Sequence, residues 1–160
     1  TQAGDLEEEM TYPLADPPTK TEKMVKDLKT DFAKVRHLYH DIESYDASLV
    51  PEYRKMCGEH GVFTLCTAYP GMQYWLDFFN EGLSGAIFAQ MDYPEIFDEW
   101  REIAERSLLQ ETEILLDQKP DLLLLGGSGT LTLASPKMVR QYALPTIRKI
   151  CRMAKLVMFI

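Results

Sequence analysis

The sequence lacks the features that identify several classes of protein. Among its 160 residues, no apolar run approaches the roughly 20 residues of a membrane-spanning helix. The opening segment TQAGDLEEEM has neither the basic region nor the apolar core of a signal peptide. The three cysteines are odd in number and form no CxxC spacing, so a disulfide framework is not expected. These absences predict a cytoplasmic protein that does not associate with membranes.

Positive charge is also scarce. The net charge of −8 predicts that nucleic acid is not a partner, because phosphate binding depends on clustered lysine and arginine. Basic residues concentrate between Lys137 and Lys155, and acidic residues between Glu95 and Asp121. This separation favours two neighbouring helices that exchange charges across their flanks. An anion-binding or partner-binding surface on the basic segment is the alternative.

The residues that are present have the composition of a globular protein, with 46% hydrophobic and 26% charged residues. Short apolar runs at 61–67, 121–125 and 155–160 predict strands, and helical patterns separate them. Strands that alternate with helices indicate an α/β protein with a parallel sheet. We therefore expect residues 1–60 to form an extended segment and helices that lead into a region of βα units over 61–160.

Five helices are predicted from the spacing of apolar residues and from end signals. Thr30 or Asp31 is expected to cap the first helix, and Asp92 with Glu95 matches a capping box at the start of the fourth. Ser135 followed by Pro136 marks the start of the fifth helix, which Pro145 should kink or divide. The predicted ranges are 29–39, 48–59, 72–80, 92–119 and a helix that begins at 136.

These elements together resemble the uroporphyrinogen decarboxylase superfamily. The similarity is carried by Asp92-Tyr-Pro-Glu95 at the start of a long helix, by Pro120-Asp121 before an apolar strand, and by a Gly/Ser corner. It continues with Ser135-Pro136 and a helix that contains Ala143-Leu144-Pro145. The resemblance implies a partial TIM (β/α)8 barrel with parallel strands near 61–67, 121–125 and 155–160. A complete barrel needs about 250 residues, so the chain would be a fragment of one.

The superfamily includes methyltransferases that act with corrinoids. The resemblance therefore implies zinc-dependent methyl transfer between a corrinoid methyl donor and a thiol or related acceptor, with a small-molecule substrate or a corrinoid protein as partner. It places the zinc ligands beyond Ile160, so no metal site is expected within the chain. On this interpretation the isolated chain is expected to be inactive.

Decarboxylation of uroporphyrinogen, a tetrapyrrole carboxy-lyase reaction of porphyrin biosynthesis, is the alternative within the superfamily. The positions that match two of its substrate-binding residues hold Phe78 and Gly129. The corners over 67–70 and 126–129 also contain no basic residue that could neutralise a substrate with many carboxylates. A third hypothesis is that the chain is a catalytically silent fragment or assembly module. It would then form a homo-oligomer or associate through its open strands.

The candidate substrate-binding residues follow the carboxyl ends of the predicted strands, where ligands bind in parallel sheets. Aromatic side chains at helical spacing could equally belong to the core, and the glycines could equally form a tight turn. No catalytic residue is assigned. The candidates are Tyr69, Tyr74 and Phe78 after the first strand, with Trp75 beside them, and Gly127, Ser128 and Gly129 after the second.

Overall fold

The computed structural model of the protein describes residues 1–126 and 134–154. The described chain alternates short strands with helices, and most of its regular structure is helical. In chain order the elements are β1 (Glu9–Thr11), β2 (Thr19–Glu22), α1 (Leu28–Val35), a 3-10 turn (Arg36–Leu38), α2 (Val50–Cys57), β3 (Thr64–Cys66), α3 (Met72–Leu76), α4 (Gly82–Asp92), α5 (Pro94–Asp117), β4 (Leu122–Leu124), α6 (Pro136–Met138), a π-helical turn (Val139–Ala143) and α7 (Leu144–Met153).

Strands β3 and β4 lie within the predicted ranges and pair in parallel, with Leu65 opposite Leu123. The side chain of Asp121 fixes the start of this pairing, because its Oδ2 accepts a hydrogen bond of 2.9 Å from the Phe63 N–H. The Asp121 N–H in turn donates to the Phe63 carbonyl at 2.9 Å. These reciprocal bonds join the amino ends of the two strands, and the parallel direction places their carboxyl ends at the same edge.

The partial TIM barrel predicted from the resemblance is wrong for the described residues. They form two sheets of two strands each, the antiparallel pair β1–β2 and the parallel pair β3–β4. Leu122 and Leu124 are 50% and 49% exposed, whereas a barrel strand is covered on both faces. The third predicted strand, 155–160, lies outside the described residues.

The core explains why the barrel prediction fails. The large apolar side chains gather between helices, mainly in an aromatic cluster, and not against the strands. Trp75 meets Phe97 edge to face with 4.9 Å between ring centroids, and Phe79 stacks on Phe97 at 5.8 Å. Trp100 is fully buried among these rings and donates a hydrogen bond of 2.8 Å from Nε1 to the Tyr39 hydroxyl. This helical cluster, not the sheet, is where most of the apolar burial takes place.

The residues that cap the helices agree only in part with those predicted from the sequence. Asp27, not Thr30 or Asp31, caps α1 by accepting from the Thr30 N–H, while Asp31 accepts from the N–H groups of Lys26 and Asp27. Helix α5 begins at Pro94 after Tyr93, which makes no side-chain cap, so the predicted capping box is wrong. The Ser135 cap is confirmed, because its hydroxyl accepts from the Met138 N–H.

Helix α4 has no counterpart in the sequence prediction. Its residues GLSGAIFAQMD contain two glycines and no clear apolar stripe, and Phe88 and Met91 are exposed. Only Ala86 is fully buried in it. Its small side chain lets α4 approach the aromatic cluster closely. The helix is therefore stabilised by tertiary packing and not by its local sequence.

Pro145 was predicted to kink or divide the last helix, and the structure shows a change of helical type directly before it. The chain winds as a π-helical turn over Val139–Ala143 and returns to the α-helical pattern in Leu144–Met153. Proline lacks a backbone N–H and crowds the carbonyl four residues before it, so the preceding turn must widen or open. The widened turn carries Tyr142 into the aromatic cluster.

Helices α5 and α7 are joined by a polar contact on Glu105. The Thr146 hydroxyl, which is 4% exposed, donates to Glu105 Oε2 at 2.7 Å, and Lys149 Nζ pairs with Oε1 of the same carboxylate. Burial opposes ionisation, but the hydrogen bonds from Lys149 and Thr146 hold the pKa of Glu105 below its usual range. The contact agrees with the interpretation that the acidic and basic helices exchange charges.

We expect Thr146→Val to destabilise the protein by about 1 kcal/mol at neutral pH, because it removes a buried donor to a carboxylate at nearly constant volume. Since the pKa of Glu105 is lowered on folding, its contribution to stability is present above its ordinary pKa of 4.5 and is lost as the pH falls. Urea unfolding at neutral and strongly acidic pH measures both effects. Thr11→Val, at an exposed strand position, is the control; an equal loss in both variants would contradict the assignment.

No helix among the described residues has the combination of length and apolar composition that crossing a membrane requires.

Candidate functional site

A cleft of about 130 Å³ lies beside the carboxyl end of β3. Its walls come from the loop that follows β3, from α3 and α5, and from Tyr39 and the π-helical turn. Five of the fifteen lining residues are aromatic. They are Tyr39, Tyr69, Tyr74, Trp75 and Tyr142.

The loop after β3 is held in place by the parallel ladder and by one glycine. The Thr67 N–H donates to the Leu124 carbonyl at 3.0 Å, which extends the ladder one residue beyond the strand. Gly71 then turns the chain into α3 with φ of 79° and ψ of −152°, a backbone conformation that residues other than glycine rarely adopt. A Cβ at this position would lie 2.9 Å from the Cβ of Ala143 in the π-helical turn. The cleft therefore depends on close backbone packing at Gly71.

The cleft contains a buried donor that has no partner. Trp75 lines the cleft, is 2% exposed, and its indole Nε1 makes no hydrogen bond within the described parts of the chain. Most buried polar groups in proteins are hydrogen-bonded, so this indole N–H is an exception among the side chains around the cleft.

Glu111 is the second unusual group in the cleft. Its carboxylate is half-buried, and burial raises the pKa of Glu111 although the Ala68 N–H, at 3.5 Å from Oε2, favours ionisation. None of the ion pairs within residues 1–126 and 134–154 involves Glu111. The same cleft holds Tyr74, whose phenol pKa is also raised by burial.

The other charged groups of the cleft are already matched. Arg101 lies between two acids of α5, with Nη2 3.3 Å from Glu102 and Nε 3.9 Å from Asp98. Glu105 is bound by Thr146 and Lys149, as described above. Glu111 is therefore the charged side chain of the cleft whose charge the described residues leave unbalanced.

Only some of the residues predicted to bind substrate lie at the cleft. Tyr69 and Tyr74 line the cleft, together with Trp75. Phe78 does not line it; its ring packs against Tyr74 at 5.2 Å and edge to face against Trp100 at 5.4 Å, as a residue of the aromatic cluster. Gly127, Ser128 and Gly129 lie outside the described residues. The cleft thus brings together two of the six predicted residues.

Sequence reasoning missed Tyr39, Arg101, Glu111 and Tyr142. The signal for Glu111 was present, since it continues the apolar stripe of α5 after Trp100, Ala104 and Leu108 at steps of three and four residues. A carboxylate on a buried stripe is an anomaly that marks a candidate site. Tyr39 and Tyr142 carry no such signal, because only the packing of distant segments brings them to the cleft.

A metal-binding cluster is not found in the part of the chain that the structure describes, where no group of three or more His, Cys, Asp or Glu side chains converges. Because the resemblance places the zinc ligands beyond Ile160, this finding does not test the zinc ion that it implies.

Comparison of the chain with protein-family models, with curated proteins and with solved structures gives no significant match.

Proposed function

We propose that the protein belongs to an enzyme of the uroporphyrinogen decarboxylase type and that it contributes the binding cleft for a small molecule in corrinoid-dependent methyl transfer. The proposal joins the sequence resemblance to one observation: the cleft beside the carboxyl end of β3, with Tyr69 and Tyr74 in its wall. Ligand sites are concave, mostly apolar and furnished with a few polar groups, and this cleft fits that description.

The charge of the cleft supports methyl transfer over tetrapyrrole decarboxylation. A substrate with many carboxylates requires several unbalanced cations, but Arg101 is engaged by Asp98 and Glu102. Glu111 adds a negative group to the same space. In the proposed role the aromatic walls hold and orient the acceptor and exclude water, so that the acceptor meets the corrinoid methyl group in a fixed geometry. No step of the proposal involves zinc.

The experiment is turnover by the natural full-length protein, with methylcobalamin as donor and 2-aminoethanethiol, a thiol that carries an ammonium group and no anionic group, as acceptor. We expect loss of the methyl–cobalt absorbance, and we expect Tyr74→Ala to lower kcat/KM by about tenfold through lost positioning of the acceptor. Tyr53→Ala, an exposed tyrosine of α2, is the matched control and should retain full activity.

Two results would overturn the proposal. One is the absence of methyl transfer together with measurable decarboxylation of uroporphyrinogen, which would identify the alternative enzyme. The other is equal loss of activity in the Tyr74→Ala and Tyr53→Ala variants, which would separate the activity from the cleft.

A further inference from the structure

We infer that the cleft binds a small organic ammonium ion. The inference deepens the proposed function, since it names the ligand class of the same cleft, and in that context the methyl acceptor would bear an ammonium group. The aromatic walls and the unbalanced carboxylate each make a separate demand on the ligand.

The first demand comes from Glu111. A partly buried carboxylate is stabilised either by a proton or by a cation, and no cationic side chain among the described residues pairs with it. Arg101 lines the same cleft, but its ion pairs are with Asp98 and Glu102 and not with Glu111. A cationic ligand would supply the missing charge.

The second demand comes from the walls. Tyr39, Tyr69 and Tyr74 line the cleft with rings that are only partly buried, and Trp75 and Tyr142, at 2% and 3% exposure, complete its wall. Aromatic faces attract cations through the ring quadrupole, and cages of this composition are the usual protein sites for quaternary ammonium groups. A metal cation is disfavoured by the same walls, because hard cations require several oxygen ligands and the described cleft offers one unbalanced carboxylate.

An organic ammonium ion meets both demands, whereas a hydrocarbon meets neither the charge of Glu111 nor the preference of the rings for a cation.

The test compares choline with its uncharged isostere 3,3-dimethyl-1-butanol, which has the same shape and hydroxyl group. Binding of each to the 160-residue chain is measured by isothermal titration calorimetry at neutral pH and low salt. We expect choline to bind about tenfold more tightly than the isostere, since the two differ in the charge that faces Glu111 and the rings.

Two variants test whether the preference for the charged ligand depends on Glu111. Glu111→Gln should weaken choline binding about tenfold and leave the isostere unchanged, because it removes charge and keeps shape. Glu113→Gln, at an exposed position of the same helix, makes the same chemical change outside the cleft and should alter neither ligand. Thermal unfolding by circular dichroism checks that both variants are folded.

Equal affinity of the wild-type chain for choline and the isostere, or no binding of choline, would overturn the inference without reference to any variant. Choline binding that is unchanged in Glu111→Gln would also overturn it. The two proposals can fail separately. If choline binds but the full-length protein transfers no methyl group, the proposed enzyme activity is contradicted and the cation site is not. If methyl transfer occurs but choline does not bind, only the cation site is contradicted.

Discussion

Replacing Trp100 by alanine is expected to lower the free energy of unfolding by about 4 kcal/mol, because it empties the centre of the aromatic cluster. The side chain is completely buried and its ring lies 5.4 to 6.1 Å from those of Phe32, Trp75, Phe78, Phe79 and Phe97. Few small proteins have more than about 5–15 kcal/mol of stability, so the variant should be largely unfolded at moderate urea concentrations. Urea unfolding followed by far-ultraviolet circular dichroism measures the loss.

The matched control for this prediction is Trp100→Phe. It keeps an aromatic ring in the cluster but removes the indole donor to the Tyr39 hydroxyl, and a loss of about 1–2 kcal/mol is expected. Tyr39→Phe removes the acceptor of the same bond, and the two changes combined should cost less than their sum because they delete one interaction. A loss of under about 1 kcal/mol in Trp100→Ala would mean that the aromatic cluster is not the centre of the fold.

Replacing Gly71 by alanine is expected to destabilise the protein by about 3 kcal/mol, through backbone strain and a steric conflict. With φ of 79° and ψ of −152°, the residue occupies a region that is nearly exclusive to glycine. The new methyl group would also lie 2.9 Å from the Ala143 Cβ and 3.3 Å from its backbone N. Relief requires the π-helical turn to move away from the cleft. Urea unfolding measures the effect, and a change in choline affinity reports whether the cleft is distorted.

Gly82→Ala separates the two causes. Gly82 also has a positive φ, 59°, but no heavy atom outside its immediate neighbourhood lies within 4 Å of the position that a Cβ would take. Only the backbone cost of about 1 kcal/mol is therefore expected. Adding Ala143→Gly to Gly71→Ala removes the closest contact and should recover part of the loss. Equal destabilisation by Gly71→Ala and Gly82→Ala, with no recovery in the double variant, would show that close packing at Gly71 is not important.

Local sequence signals located several elements because the interactions that specify them are local. The apolar runs before the Pro-Gly turn at 70–71 and after Lys119-Pro120 mark β3 and β4. The Ser135-Pro136 pair marks the start of a helix, since both the capping bond and the fixed φ act within one turn. Tyr69 and Tyr74 could be proposed as site residues because ligands gather after the carboxyl ends of strands.

The remaining features could not be predicted because they depend on contacts between distant segments. Leu122 and Leu124 belong to an apolar run typical of a buried strand, yet they are half exposed, and the run itself does not show what covers it. Helix α4 forms without an apolar stripe because Ala86 packs into a cluster that other helices build. Phe78 has the same aromatic character as Tyr74, and only packing decides that one joins the core and the other the cleft.

By itself, the sequence determined to within a few residues where several strands and helices begin and end. It also predicted that the acidic and basic helices pair their opposite charges. The tertiary structure alone decided that the apolar side chains meet between helices, and that Tyr39, Glu111 and Tyr142 share one cleft. The physical reason is the range of the interactions. Capping, φ preference and hydrophobic period act within a few residues, whereas burial is a property of the surfaces that the folded chain brings into contact.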